Sequence, residues 1–189
     1  MDLVLIRHPA VAIAAGICYG QADVPLADDA ETSARVLSER MRALNVPPCA
    51  GAWHASPLQR CALIARALGA VRTDERLKEI DFGAWESRAW DSIDRALLDA
   101  WADDLEHARA HGGESLAQFN VRVMQWFDDT CAHQDAPVHA VTHAGVIRVL
   151  TARLLNAQQA NVLQWPLDYG AMVWLRRVRD EWLLVRWNA

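Results

Sequence analysis

The apolar run Leu3-Val4-Leu5-Ile6, stopped by Arg7-His8-Pro9, constrains the fold more than any other stretch of the chain. Successive strand side chains point to opposite faces, so an apolar run without alternation describes a strand buried on both sides. A strand of that kind needs cover above and below, which helices packed on both faces of a sheet provide. Pro9 cannot continue the hydrogen-bond ladder, so Arg7 and His8 fall at the strand's carboxyl end.

The rest of the chain repeats the theme. Residues 28–44 open on Asp28-Asp29 as capping candidates and place Val36, Leu37, Met41 and Leu44 on one helical stripe. A second strand at 50–55 is followed by Ser56 as N-cap and Pro57 at the first helical position, with Arg60 in the first turn and Cys61, Ile64 and Leu68 inward. From Trp90 onward, Ile93, Leu97, Trp101 and Leu105 recur at helical spacing among Glu86, Asp91, Asp94, Asp99, Asp103, Asp104 and Glu106. This predicts an acidic amphipathic helix in a small lid insertion at about residues 86–112, ended by Gly112-Gly113. A helix after Glu114 turns Leu116, Phe119, Val123 and Phe127 inward. The strand 138–142 ends at His143 and leads into the helical run 146–155, and the strand-to-helix turn is an anion site by its free amides and dipole. Strands near 171–175 and 182–187 close the chain around Asp180. The expected fold is α/β, a three-layer α/β/α sandwich on a mostly parallel sheet, in one domain over residues 1–189. Ligands bind such sheets beyond the strands' carboxyl ends, where Arg7, His8, Arg60 and His143 fall.

Composition narrows the function. A net charge of -5 argues against a nucleic-acid partner. Cys18, Cys49, Cys61 and Cys131 have no ligand or redox spacing and are expected as buried reduced thiols. The apolar stretch 10–17 falls far short of the roughly 20 residues a membrane span needs, and Asp2 fits poorly with a basic leader. Cytoplasmic residence without a membrane partner is the expectation, and the oligomeric state is not legible.

Two histidines and two arginines at one sheet edge form a cationic pocket suited to a phosphoryl group. Arginine forks can hold its oxygens while a neutral imidazole attacks phosphorus, a scheme that needs no metal or other cofactor. A carboxylic acid is wanted to protonate the leaving oxygen, and Glu79 is the candidate, with Asp81 and Glu86 as competitors. A zinc site combining His54 with His8 and His143 lacks ligand spacing. Trp85, Trp90 and Trp101 fit a buried stripe better than an aromatic substrate wall.

These residues resemble the histidine phosphatase, or phosphoglycerate-mutase-like, superfamily. The likeness runs through Leu5-Ile6-Arg7-His8, Ser56-Pro57-Leu58-Gln59-Arg60-Cys61-Ala62, the acid motif Leu77-Lys78-Glu79-Ile80-Asp81-Phe82-Gly83-Ala84-Trp85-Glu86, Gly112-Gly113-Glu114-Ser115 and Thr142-His143-Ala144-Gly145-Val146-Ile147-Arg148. It implies a phosphoglycerate-mutase-like fold, with His8 as nucleophile and Arg7, Arg60 and His143 on the phosphoryl oxygens. It further implies Glu79 as general acid and then base, and Tyr19, Gly20 and Ala144 in the substrate pocket. The implied activity is a metal-independent phosphomonoesterase acting on a small-molecule phosphate ester through a phosphohistidine.

Within the superfamily, Gly16-Ile17-Cys18-Tyr19-Gly20-Gln21-Ala22-Asp23-Val24-Pro25-Leu26 is most similar to the α-ribazole phosphatase branch, which removes a 5′-phosphate in cobalamin biosynthesis. Departures from the family pattern are Pro9 for glycine after the nucleophile, Ala144 for glycine, Ser87 for glycine, and no asparagine across 11–15, which argues against a mutase. The alternatives are a broad sugar or nucleotide phosphatase of the same superfamily and an inactive phospholigand-binding protein. The acidic segment predicts poor activity on bisphosphates.

Overall fold

A computed structural model describes residues 1–189. Its centre is a six-stranded sheet in the order β3-β2-β4-β1-β5-β6. The strands are β1 (Asp2–Arg7), β2 (Trp53–Ala55), β3 (Val71–Thr73), β4 (Val138–Thr142), β5 (Met172–Val178) and β6 (Glu181–Arg186). Pairings among β1, β2, β3 and β4 are parallel, and β5 and β6 add an antiparallel edge beside β1. The helices are α1 (Ala30–Ala43), α2 (Gln59–Leu68), α3 (Arg95–Asp103), α4 (Leu116–Thr130), α5 (Ala144–Leu154) and α6 (Gln159–Leu163).

The period-two alternation of β1 divides the core. Leu3 and Leu5 pack on one face with Phe119 and Val123 of α4 and Val146 and Leu150 of α5, whereas Val4 and Ile6 pack on the other with Leu37 of α1 and Ile64 of α2. The sandwich read from the sequence is therefore present, with β1 covered on both sides. A third, small cluster holds the 86–112 segment together: Cys18, Trp85 and Ile93, with Phe82, Trp90 and Trp101 against them.

Several boundaries differ from the expectation. Asp29 caps α1, its carboxylate accepting from Thr32 N at 2.8 Å, but Val36 is 46% exposed and the inward side is Ala34, Leu37 and Met41, with Leu44 just past the helix. Ser56 does not cap α2 and Pro57 is not its first residue: the helix begins at Gln59 with Leu58 at the cap position. The expected helix from Trp90 is a 3-10 turn (Trp90–Ser92) followed by α3, because Asp94 accepts from Ala96 N and starts a new helix there. The second strand is confined to Trp53–Ala55. The short β3 was not foreseen. Ser115 and Gln118 form a reciprocal capping box at the start of α4. All four cysteines are free, and Cys49 is only half-buried.

Candidate active site

Three neighbouring strands end side by side and set the site. Past the β1–β4 ladder, His8 N donates to Thr142 O at 2.9 Å, and past β2, Ser56 N donates to Val141 O at 3.1 Å. These bonds carry the sheet register one residue further and bring His8, His143 and Ser56 to its carboxyl edge. The rings of His8 and His143 lie 5.2 Å apart, centre to centre.

His8 is 3% exposed, and its Nδ1 bonds to the carbonyl of Pro9 at 2.7 Å. A carbonyl can only accept, so Nδ1 carries the proton and Nε2, which has no protein partner, presents its lone pair. Burial pushes the His8 pKa down to about 3, with the charges of Arg60 and Arg7 adding to the effect and the Pro9 bond opposing it. Pro9 thus removes an amide donor yet supplies the acceptor that fixes the tautomer. His143 is fully buried, and its Nε2 shares a hydrogen bond of 2.8 Å with Ser56 Oγ. Burial first, then Arg60 and His8, holds the His143 pKa well below its ordinary value. Burial thus favours the neutral form of both imidazoles.

The arginines are held by backbone carbonyls. Arg60, fully buried, donates to Ala22 O at 2.8 Å and Gly20 O at 2.6 Å. Arg7 donates to Leu167 O and lies 3.9 Å from the centre of the Tyr169 ring. Neither makes an ion pair with a carboxylate, and the Nε of each is buried without a partner. Carbonyl partners orient a guanidinium without cancelling its charge, so both remain available to an anion.

Glu79 enters from the loop after β3. Its Oε2 accepts from Gly145 N at 3.0 Å and its Oε1 from Ile80 N at 3.1 Å. The amide at the start of α5 therefore holds a carboxylate of the protein itself, not an open anion site. A Cβ on Gly145 would come within 2.1 Å of Glu79 Oε1, so only glycine permits this approach. The competing carboxylates have other duties: Asp81 accepts from Gly83 N at 2.7 Å, and Glu86 accepts from the amides of Gln21, Ala22 and Phe82.

Arg122, which sequence reasoning passed over, fastens the Glu79 loop. It donates to Arg76 O and Lys78 O at 2.8 Å and to Glu79 O at 2.9 Å, and it pairs with Glu114 at 2.7 Å. Only the Gly112-Gly113-Glu114-Ser115 motif hinted at it, by placing a carboxylate just before α4. Tyr169 was also missed; its ring faces Arg7 and His8, and its hydroxyl bonds to that of Tyr19.

Arg7, His8, Arg60, Glu79, His143 and Ala144 all line one hollow of about 260 Å3, and Tyr19 forms part of its wall. Gly20 does not line it: its carbonyl carries Arg60, and a Cβ there would strike Ile80 O at 2.0 Å. Besides these polar groups the hollow is lined by apolar side chains, among them Ile80, Phe82, Trp101, Leu105, Phe119 and Leu163. Trp101 is thus a wall residue, while Trp85, 2% exposed, belongs to the core beneath. His54 stands away from this hollow, its ring packed 5.7 Å from that of Trp126. No helix is long and apolar enough to cross a membrane.

Comparison with known proteins agrees with this geometry. Residues 3–189 match the histidine phosphatase superfamily (branch 1). A glucosyl-3-phosphoglycerate phosphatase of Mycolicibacterium vanbaalenii is 34% identical, the alignment covering 89% of this chain and 79% of that protein. An adenosylcobalamin/alpha-ribazole phosphatase of Salmonella typhimurium is 29% identical over 90% of this chain and 87% of its own length. Among solved structures, the alpha-ribazole phosphatase of Shigella flexneri superposes with a TM-score of 0.84 at 25% identity, covering 100% of this chain and 96% of that one. The family match over residues 3–189, on a phosphoglycerate-mutase-like fold, places this protein in the histidine phosphatase superfamily.

Proposed function

We propose that the protein is a metal-independent phosphomonoesterase that works through a phosphohistidine on His8. The observation that carries the proposal is the neutral His8 ring, tautomer fixed by Pro9, in one hollow with two arginines free of carboxylates and with Glu79. In the first step Nε2 attacks phosphorus, the bond to the leaving oxygen breaks, and protonated Glu79 gives its proton to that oxygen. Arg7, Arg60 and His143 hold the phosphoryl oxygens as negative charge redistributes. In the second step a water attacks phosphorus, the Glu79 carboxylate takes its proton, and the P–N bond breaks to release inorganic phosphate.

For the substrate, the apolar wall of Ile80, Phe82, Trp101 and Leu105 favours a leaving group with an aromatic or apolar body. This supports the 5′-phosphate of α-ribazole over a strongly hydrated sugar acid, although relatives named for both activities resemble the chain. The test is phosphate release in EDTA from α-ribazole 5′-phosphate and from glucosyl-3-phosphoglycerate. A preference for the first of about a hundredfold, or about 2.7 kcal/mol of transition-state discrimination, is expected. The reverse preference would overturn the substrate; comparable rates on these and on simple sugar and nucleotide phosphates would make the enzyme a broad phosphatase. Binding of vanadate without turnover of any ester would overturn the enzyme itself.

A further inference from the structure

The catalytic hollow shares part of its apolar wall with a second one. We infer that the second is a distal subsite, between the 86–112 segment and α5–α6, that takes the far end of an elongated leaving group of about nucleoside length. This inference rests on the phosphomonoesterase reading above. A second hollow of about 370 Å3 adjoins the first, and Leu105, Leu116, Gln159 and Leu163 line both, so only these side chains lie between the two.

Helix α5 measures the path. Ala144 and Gly145 stand at the catalytic pole, Arg148 and Val149 line the same hollow one turn on, and Ala152 and Arg153 line the distal one after a further turn. At 1.5 Å of rise per residue, the eight steps from Ala144 to Ala152 span about 12 Å. A three-carbon phosphate ester fills only the first part of such a path, whereas a nucleoside or disaccharide phosphate reaches the second.

The lining along the way is apolar with a few hydrogen-bonding positions, and Glu106 and Arg153 add one charge of each sign to the distal hollow. Arg148, at the midpoint, spends one nitrogen on Trp165 O at 3.0 Å, its Nε is buried without a partner, and no carboxylate pairs with it. At the boundary between the hollows, Asn120 and Gln159 form a reciprocal amide pair, with bonds of 3.0 and 3.2 Å. Each amide keeps a spare N–H and a spare acceptor site, now fixed in direction. A hydroxyl or ring nitrogen of the leaving group meets these donors while Leu105, Leu116 and Leu163 cover its apolar surface.

The test compares kcat/KM for phenyl phosphate, which ends in the first hollow, with biphenyl-4-yl phosphate, which reaches the second. Ala160, exposed on α6, lines only the distal hollow, so Ala160→Trp plugs it without touching catalytic groups. Ala157→Trp, from the loop before α6, is a second plug should the first disturb the helix. The wild type is expected to prefer the longer ester by about tenfold or more, and the plugs to erase that preference while leaving phenyl phosphate within about twofold. Turnover with an unchanged ratio in both plugged variants, or no preference in the wild type, would overturn the subsite alone. Absence of turnover of either ester by the wild type would overturn the phosphatase reading and the subsite with it.

Discussion

Replacing Gly145 by alanine separates catalysis from stability at this site. The added Cβ would lie 2.1 Å from Glu79 Oε1, 3.0 Å from its Cδ and 3.1 Å from the Phe119 ring. Gly145 is the second residue of α5, where alanine is a better helix former by about 1 kcal/mol. The group that must move is the free end of a side chain, so the helix survives and the Glu79 carboxylate retreats by about 1 Å. Misplacement on that scale costs about a hundredfold in a positioned step, and loss of the acid altogether costs about 10²–10⁴. Gly145→Ala should therefore reduce kcat on alkyl phosphates by about a hundredfold or more, or about 2.7 kcal/mol. Esters of acidic phenols, whose leaving oxygens need little protonation, should lose far less. The assay is kcat across leaving groups of graded acidity, with thermal unfolding alongside. A uniform loss across the series in a folded variant would refute Glu79 as the acid held by the Gly145 amide, and unfolding of the variant would refute the survival of the helix.

The other expected outcomes concern the supports of the site. Arg122→Met leaves Glu114 mostly buried without its partner and should cost about 3–5 kcal/mol of stability; removing Glu114 as well should recover much of that in urea unfolding, but not the activity, because the Glu79 loop stays unfastened. Equal activity in the double variant would show that Arg122 does not position Glu79. His8 at about 3, His139 at about 4 and His143 well below 6.5 all titrate lower in the folded chain than their ordinary value, chiefly through burial. The unfolded chain takes up protons first, so stability falls as pH drops from about 6.5 toward 4, by up to about 1.4 kcal/mol per unit for each such group. An unchanged urea midpoint between pH 7 and pH 5 would contradict their neutral burial. Bisphosphates should be poor substrates at low salt, because the carboxylates of the 86–112 segment repel them, with the gap narrowing as salt rises; turnover equal to that of monophosphates would remove the acidic segment from the account.

Local signals carried much of the structure. Leu3 to Ile6 announced a strand covered on both faces, and Asp29 announced a helix start, because those features act within a few residues of chain. Ser56 misled for the same reason: before Pro57 it looks like a cap, while its hydroxyl is taken by His143, 87 residues away in sequence. Val71-Arg72-Thr73 is too short and too exposed to show a pattern, and becomes β3 only because β2 offers it an edge. Glu79, Asp81 and Glu86 are alike in sequence; what distinguishes them is which backbone amides each carboxylate meets. Arg122 reads as an ordinary helix-face arginine until the three carbonyls it gathers from another segment are seen.

The central claim is that His8 Nε2 carries the phosphoryl group. Rapid acid-free quenching of a reaction with a radiolabelled phosphomonoester, followed by peptide mapping, tests it most directly. The expected result is an acid-labile, base-stable label on the peptide that holds Arg7 and His8, absent in His8→Ala, whose phosphate release should also disappear. Undiminished phosphate release by purified His8→Ala, or label on another residue, would contradict it.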